Sequence, residues 1–492
     1  MLTLLWALPA AGALAAALAG RRAAWLGPVL SAVAFVLSLA LWPQAGALTE
    51  RVPWFHGPYG AAVTYSLGLS GLSLLLVAMT LLVTALAGWA GRGRGPAFVA
   101  WLTMLGAAAT GMFLARDLVL FYLFWEAMLV PTYFLLAGWG GPSRARVAWK
   151  FLLYNVGGSV ALLLGLAALV TFGAAMPGGP SGAGAALPPA VVGPIALALA
   201  IGFAVKTPLF PLHGWVADTY AELPPPAAAL VAAVQSKAGL YGMLAILLPL
   251  LPGGIAAWAP VLIAAGLVSV LYGAFVALSS DDPRRLLAYS SVSHLGLIAV
   301  AFSTRVGVAV TGGVIALVAH GLVTAALFLL LGMLEDRVGG PLRLRDLGGL
   351  ARSAPGLAGA LTLLGMAALG LPGLAGFPGD LLMLIGIYRY SPWLAVAAGL
   401  GLVLSAVYML RVIQLVLHGP AREGARAAGD LRPAERWLLA PFALLLLGIG
   451  VYPNPVPALA APAVASATAG APVPAASGPA PAASGTQGGS AS

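Results

Sequence analysis

The stretch IGFAVKTPLFPLHGW, residues 201–215, decides how this chain is read. An apolar run ends on Lys206, breaks at Pro208 and Pro211, and then meets His213. Proline removes a backbone donor and clashes with the preceding turn, so a helix stops here. The freed carbonyls then lie beside an amine and an imidazole. Lysine is scarce: the chain has three, Lys150, Lys206 and Lys237, against 21 arginines. All three lie inside or at the edge of apolar runs, and no connecting loop uses one. Arginine stays charged in proteins, whereas a desolvated lysine can give up its proton. The chain reserves its titratable amines for apolar surroundings.

Working outward, the 492 residues are 61% hydrophobic and 8% charged, with a mean hydropathy of +1.00. A soluble domain carries about 25% charged residues. This chain has too little polar material to cover itself in water, so its solvent must be lipid. The formal charge of +10 does not point to nucleic acid, because the arginines are scattered over many short loops rather than gathered in one patch. The absence of cysteine excludes thiol chemistry, iron–sulfur ligation and disulfides for this chain. The opening MLTLLWALPAAGALAAALAG lacks the basic start of a cleaved signal peptide and reads as a retained first span.

A hydrocarbon core of about 30 Å needs about 20 apolar residues per helix. Windows of that length predict an all-α polytopic membrane protein of about 14 helices. They fall near 2–20, 23–45, 68–91, 95–115, 118–139, 147–174, 189–208, 225–251, 256–279, 286–303, 307–334, 355–388 (interrupted), 392–418 and 434–453. Loops after odd-numbered helices hold 16 arginines and loops after even-numbered ones hold four. The positive-inside rule then puts the odd loops in the cytoplasm and both termini outside. The residues from 454 to 492 are rich in Pro, Ala, Gly and Ser, and are expected to be disordered.

Among the 14 acidic residues only Glu126 and Asp380 fall well inside spans. Lys237 and His320 are near the middle of helices 8 and 11, and His294 is about two turns into helix 10. Ionisable groups at such depths are costly, find partners, and mark ion or proton paths. Helix 7, with KTPLFPLHGW, and helix 12, with ALGLPGLAGFPGDLLM, are both interrupted next to an ionisable group. Paired broken helices point to a transporter site. If helices 4–8 correspond to 9–13, the chain divides into N-terminal helices (1–94), one repeat (95–252), a second, inverted repeat (253–418), a last helix (419–453) and the tail. Blander roles stand beside these. Lys206 could cap a helix end, Asp380 could cap the helix that restarts after GFPG, and Glu126 and His320 could be satisfied core groups. His294 could belong to a serine-rich helix start, Lys150 and His213 could sit at the interface, and Arg411 could snorkel.

LFWEAMLVPTYFLLAGWG, KFLLYN, KTPLFPLHGWVADTYAELPPPAAALVAAVQSKAGLYG, DDPRRLLAYSSVSHLG and AHGLVTAALFLLLG resemble the antiporter-like proton-pumping subunits of respiratory complex I. The same superfamily includes the large subunits of multisubunit cation/proton antiporters and of membrane-bound hydrogenases. FWEAMLVPTYFL and the acid after GFPG are similar to the M-type branch, although that branch usually has glutamate where this chain has Asp380. SKAGLYG also departs from the family's usual wording around its lysine.

The resemblance implies 14 helices, broken helices 7 and 12, and a proton path. Glu126 would pair with Lys206, Lys237 would be the central lysine, His294 and His320 would continue the axis, and Asp380 would end it. Pro208 and Pro211 would shape the break, with Lys150 and His213 in support. The resemblance also implies a proton-translocating membrane-arm subunit of NADH:quinone oxidoreductase in a bacterial cytoplasmic membrane. Its partners would be neighbouring antiporter-like subunits of the L and N types. NADH, flavin, iron–sulfur clusters and quinone would be carried by partner subunits and none by this chain. The alternative is the large subunit of a gradient-driven antiporter or of a hydrogenase complex.

Overall fold

The computed structural model describes residues 1–56, 62–176, 179, 187–420, 422 and 429–471. Among them, 12 helices are long and apolar enough to cross a membrane, from Leu2–Arg22 to Pro433–Val451. Two shorter apolar helices, Leu26–Ala40 and Pro355–Ala368, lie where the second span and the first half of the interrupted twelfth were expected. The helix Gly376–Tyr390 supplies the other half of that interruption. The most central helix is Gly307–Val338, whose membrane window is entirely buried. Outer helices turn large apolar side chains outward, as at Val403 and Leu444. Aromatic residues stand exposed near span ends, including Trp393, Trp437 and Tyr452, the placement favoured at membrane interfaces.

Ion pairs report which loops share a face. Lys150 pairs with Asp218 at 2.7 Å, and Asp218 also takes Arg285 at 2.9 Å. Arg284 pairs with Glu335, Arg345 with Asp281 at 2.7 Å, Arg337 with Glu435, and Arg94 with Asp336 at 3.4 Å. Each of these pairs joins segments at the odd-loop ends of the helices. On the opposite face, the N-terminal amine pairs with Glu50, and Arg305 donates to the carbonyls of Pro252, Ala467 and Ala469. The two ends of the described chain therefore lie on one face, as the arginine count predicts.

The structure departs from the sequence reading in four places. The even face carries a β-hairpin, β1 (Thr49–His56) antiparallel to β2 (Ala62–Gly68). Its β-branched and aromatic residues favour a pleated strand, and hydropathy windows do not detect that. The fifth span is broken, into Leu118–Ala127 and Leu129–Trp139, because Pro131 cannot donate to the Ala127 carbonyl. The span Pro225–Leu250 is irregular, with a 3₁₀ turn at Gln235–Lys237 and a π-helical turn at Met243–Leu247.

The fourth departure corrects the expected disorder from 454 onward: Pro455–Thr468 is a helix. Its buried residues Val456, Ala460, Val464 and Ala467 form one helical stripe. That stripe packs on Gly307–Val338 and Gly71–Gly91. A Cβ at Gly71 would lie 2.0 Å from the Leu459 carbonyl oxygen, so only glycine permits this approach. Small alanine side chains, read as too slight for a core, here allow close contact. The rest of the expected tail, 472–492, lies outside the described residues.

Candidate proton-path site

Backbone irregularity places the titratable groups. Glu126 stands two residues before the break at Met128. Lys206 is the last residue of Pro189–Lys206. Lys237 closes the 3₁₀ turn, and Asp380 lies in the short helix after the 369–375 interruption. His294 and His320, in contrast, sit in the unbroken helices Pro283–Thr304 and Gly307–Val338. A break frees backbone carbonyls and donors that can hold a charged group in a low-dielectric interior.

Lys206 is 2% exposed, and its Nζ lies 4.9 Å from the centroid of the Trp125 ring. Trp125 is held there by an indole hydrogen bond to Ser159 Oγ at 3.1 Å. The Glu126 carboxylate acts on Lys206 electrostatically, yet no ion pair within 4.0 Å joins them among the described residues. Glu126 Oε1 is buried without a protein partner, as is Thr207 Oγ1 beside the lysine. The Val205 carbonyl, at the end of the broken helix, accepts the Trp215 indole N–H at 2.9 Å. The loop after the break is pinned by the Phe210 N–H, which donates to Ser269 Oγ at 2.8 Å.

Lys237 is fully buried. Its Nζ donates to the Ala232 carbonyl and stands 2.8 Å from His320 Nδ1. The ammonium can only donate, so His320 Nδ1 accepts and its proton belongs on Nε2, which has no protein partner. The His320 and His294 rings are 5.4 Å apart between centroids. His294 Nδ1 donates to the Ser290 carbonyl at 2.9 Å, leaving Nε2 as the acceptor, 3.5 Å from Ser405 Oγ. A cavity of about 30 Å³ is lined by His294, His320, Thr324, Ser290 and Asp380. A single water needs about 10–15 Å³. Gly370 has φ +75°, and a Cβ there would meet Asp380 Oδ2 at 2.6 Å, so the glycine turn makes room for the carboxylate.

The structure thus brings His320, His294 and Asp380 around one space, with Lys237 joined to it through its hydrogen bond to His320. Glu126 and Lys206 form a neighbouring group without direct contact. Lys150 belongs to the rim ion pair with Asp218, and His213 lies between Phe210 and Tyr272, at 5.5 and 5.0 Å between ring centroids. Arg411 donates to the Leu278 carbonyl at a helix C-terminus. Tyr408 and Ser405 escaped the sequence reading. The fully buried Tyr408 hydroxyl bonds to Ser290 Oγ at 2.7 Å and to Ser405 Oγ at 3.2 Å. Their only sequence signal is the i, i+3 placement of two hydroxyls in the apolar run SAVYML.

A polytopic helical bundle with buried lysines and carboxylates at its helix breaks is of the antiporter-like class of membrane subunit. Residues 115–405 match the family described as NADH:quinone oxidoreductase/Mrp antiporter, TM. The chain is 37% identical to the NADH-quinone oxidoreductase subunit M of Mycobacterium tuberculosis, over 92% of this chain and 91% of that one. It is 32% identical to subunit M of Rhodobacter capsulatus, over 89% and 88%. A chain of respiratory complex I from Thermus thermophilus with bound NADH superposes with a TM-score of 0.86 at 33% identity, over 95% of this chain and 99% of that one. A chain of the Mrp complex from Dietzia shares the fold, with a TM-score of 0.81 at 22% identity over 95% and 97%. The chain belongs to the NADH:quinone oxidoreductase/Mrp antiporter transmembrane family.

Proposed function

We infer that this chain is a proton-translocating membrane-arm subunit of an NADH:quinone oxidoreductase, with neighbours of the L and N types. The redox groups belong to partner subunits, and the membrane is the bacterial cytoplasmic membrane, with the even face outward. Helices within 95–252 and 253–418 form two inverted units. The observation that carries the reading is the contact series from Lys237 through His320 and His294 to the cavity that Asp380 lines.

Each group has a role its chemistry allows. Lys206 holds a proton while the Glu126 carboxylate is near. At about 4 Å and an effective dielectric near 20, that attraction is about 4 kcal/mol. Withdrawal of the carboxylate leaves an ammonium stranded in low dielectric, which favours release toward Lys237. Arginine could not do this. The geometry here, with Trp125 against the amine and no close ion pair, corresponds to the withdrawn arrangement. From Lys237 the proton passes to His320 Nδ1, and the two histidines and intervening water carry it to Asp380. These groups titrate as one coupled system.

The test is proton uptake and release by the intact complex in vesicles, comparing wild type with Lys206→Ala and Glu126→Gln at equal assembly. Loss of protons moved per NADH oxidised is expected for both. Unchanged pumping would reduce the chain to a scaffold. Purification with NADH-oxidising subunits separates this reading from a free-standing antiporter.

A further inference from the structure

Arg116 lies on the even face, where the helix Pro96–Leu114 meets the helix Leu118–Ala127. It is only 8% exposed, and no ion pair holds its guanidinium among the described residues. One Nη donates to Ser73 Oγ at 3.0 Å. The Tyr241 hydroxyl stands beside it and gives its own proton to the Phe113 carbonyl at 2.9 Å. A buried charge without a counter-charge is costly, so buried arginines are found with anions.

Among the described residues no carboxylate pairs with Arg116. Asp117, next in sequence, is engaged by the backbone N–H groups of Val119 and Leu120 at 2.9 and 3.1 Å and of Thr64 at 3.3 Å. Glu50 is taken by the N-terminal amine and by Thr3. The segments outside the described residues hold one acidic side chain, Glu423. Arg305, on the same face as Arg116, shows the contrasting solution: it spends its donors on backbone carbonyls, two of them at the end of the Pro455–Thr468 helix.

Beside Arg116 is a cavity of about 190 Å³. Thr49 of the hairpin, Ser70 at the start of the Gly71–Gly91 helix, Tyr241 from the irregular span, and Ser466 from the C-terminal helix contribute polar groups to its wall. That space exceeds the volume of several waters and holds a tetrahedral oxyanion with its hydration. A guanidinium presents a donor fork matched to phosphate oxygens. We propose that Arg116 and this cavity form a binding site for a phosphate-type oxyanion, either free phosphate or the head group of an anionic phospholipid. The ligand would bridge the hairpin, the Pro225–Leu250 span and the C-terminal helix, all of which contribute to the cavity wall.

The experiment is cryo-electron microscopy of the intact complex in a maltoside detergent, prepared phosphate-free, with added phosphatidylglycerol, or with added inorganic phosphate. Density within hydrogen-bonding reach of the guanidinium is expected in at least one supplemented preparation and not in the first. Density continuing into acyl chains identifies a lipid, and compact density identifies the free ion. The Arg116→Gln complex should lose it in both. Surroundings of water or neutral groups alone in all three wild-type preparations, or undiminished density in Arg116→Gln, would overturn the proposal.

Discussion

The two titratable groups in the membrane interior are built differently. Lys237, His320 and His294 form a close series in which two of three neighbours sit in unbroken helices. Glu126 and Lys206 sit at breaks in two separate helices, with an aromatic ring against the amine and no ion pair between them. Packed, regular helices hold a relay at fixed spacing. Groups at breaks can change their spacing with little cost to the rest of the bundle. The first group has the construction of a wire and the second that of a switch.

The sharpest way to break this distinction is Lys206→Arg, measured as protons moved per NADH oxidised by the intact complex. A switch needs a releasable proton, so arginine should fail as alanine does, lowering pumping by more than about a hundredfold, the scale of lost general acid–base function. If the position needs only a positive charge, arginine will restore it. In the wire, Lys237→Gln removes the titratable amine that contacts His320, and a loss of similar size is expected. His320→Gln tests the same link from the other side. At the far end, Asp380→Asn should lower pumping by about tenfold or more. Asp380→Glu keeps the carboxylate and should stay near wild type.

Tyr408→Phe sharpens the comparison further. It deletes one hydroxyl from the Ser290–Tyr408–Ser405 set around His294. One buried hydrogen bond is worth about 0.5–1.5 kcal/mol, so pumping should fall by about two- to tenfold, with assembly intact by native electrophoresis.

The smallest effect belongs to the rim. Burial raises the Asp218 carboxyl, but hydrogen bonds and charges from Lys150 and Arg285 outweigh it and hold the group below its ordinary 3.8. A lowered value stabilises the fold above the ordinary carboxylate range, and the contribution is lost as pH falls through the folded value. Asp218→Asn should therefore cost at most about 1 kcal/mol at neutral pH. In thermal melts of the complex, its difference from wild type should shrink only in strong acid. Full pumping with this variant would mark Lys150 as a structural partner rather than part of the path.

Much of this was legible in the sequence because lipid imposes simple rules. The span lengths, the arginine asymmetry and the six interior titratable residues follow from the cost of polar groups in hydrocarbon. Lys237 and His320 stood out because nothing in their runs could carry them to water. What the sequence concealed depends on three-dimensional neighbours. Met128 gives no warning of a break without Pro131, three residues further on, being weighed against the Ala127 carbonyl. Ser405 and Tyr408 look like ordinary members of an apolar helix until His294 is set beside them. The separation of Glu126 from Lys206 is a property of side-chain position, and residue spacing along a chain does not report it. The helix at 455–468 was masked by its composition, since alanine and proline read as loose chain when no facing surface is known.

That helix has a consequence for how the protein is made. Its backbone seats on Gly71 and its last turn is clasped by Arg305. The start of the third span must therefore wait, one flank uncovered, until a segment much later in the polypeptide has been translated. Completion of this part of the bundle is a late event in synthesis, and a bulky fusion placed directly after residue 468 would be felt at the start of the third span.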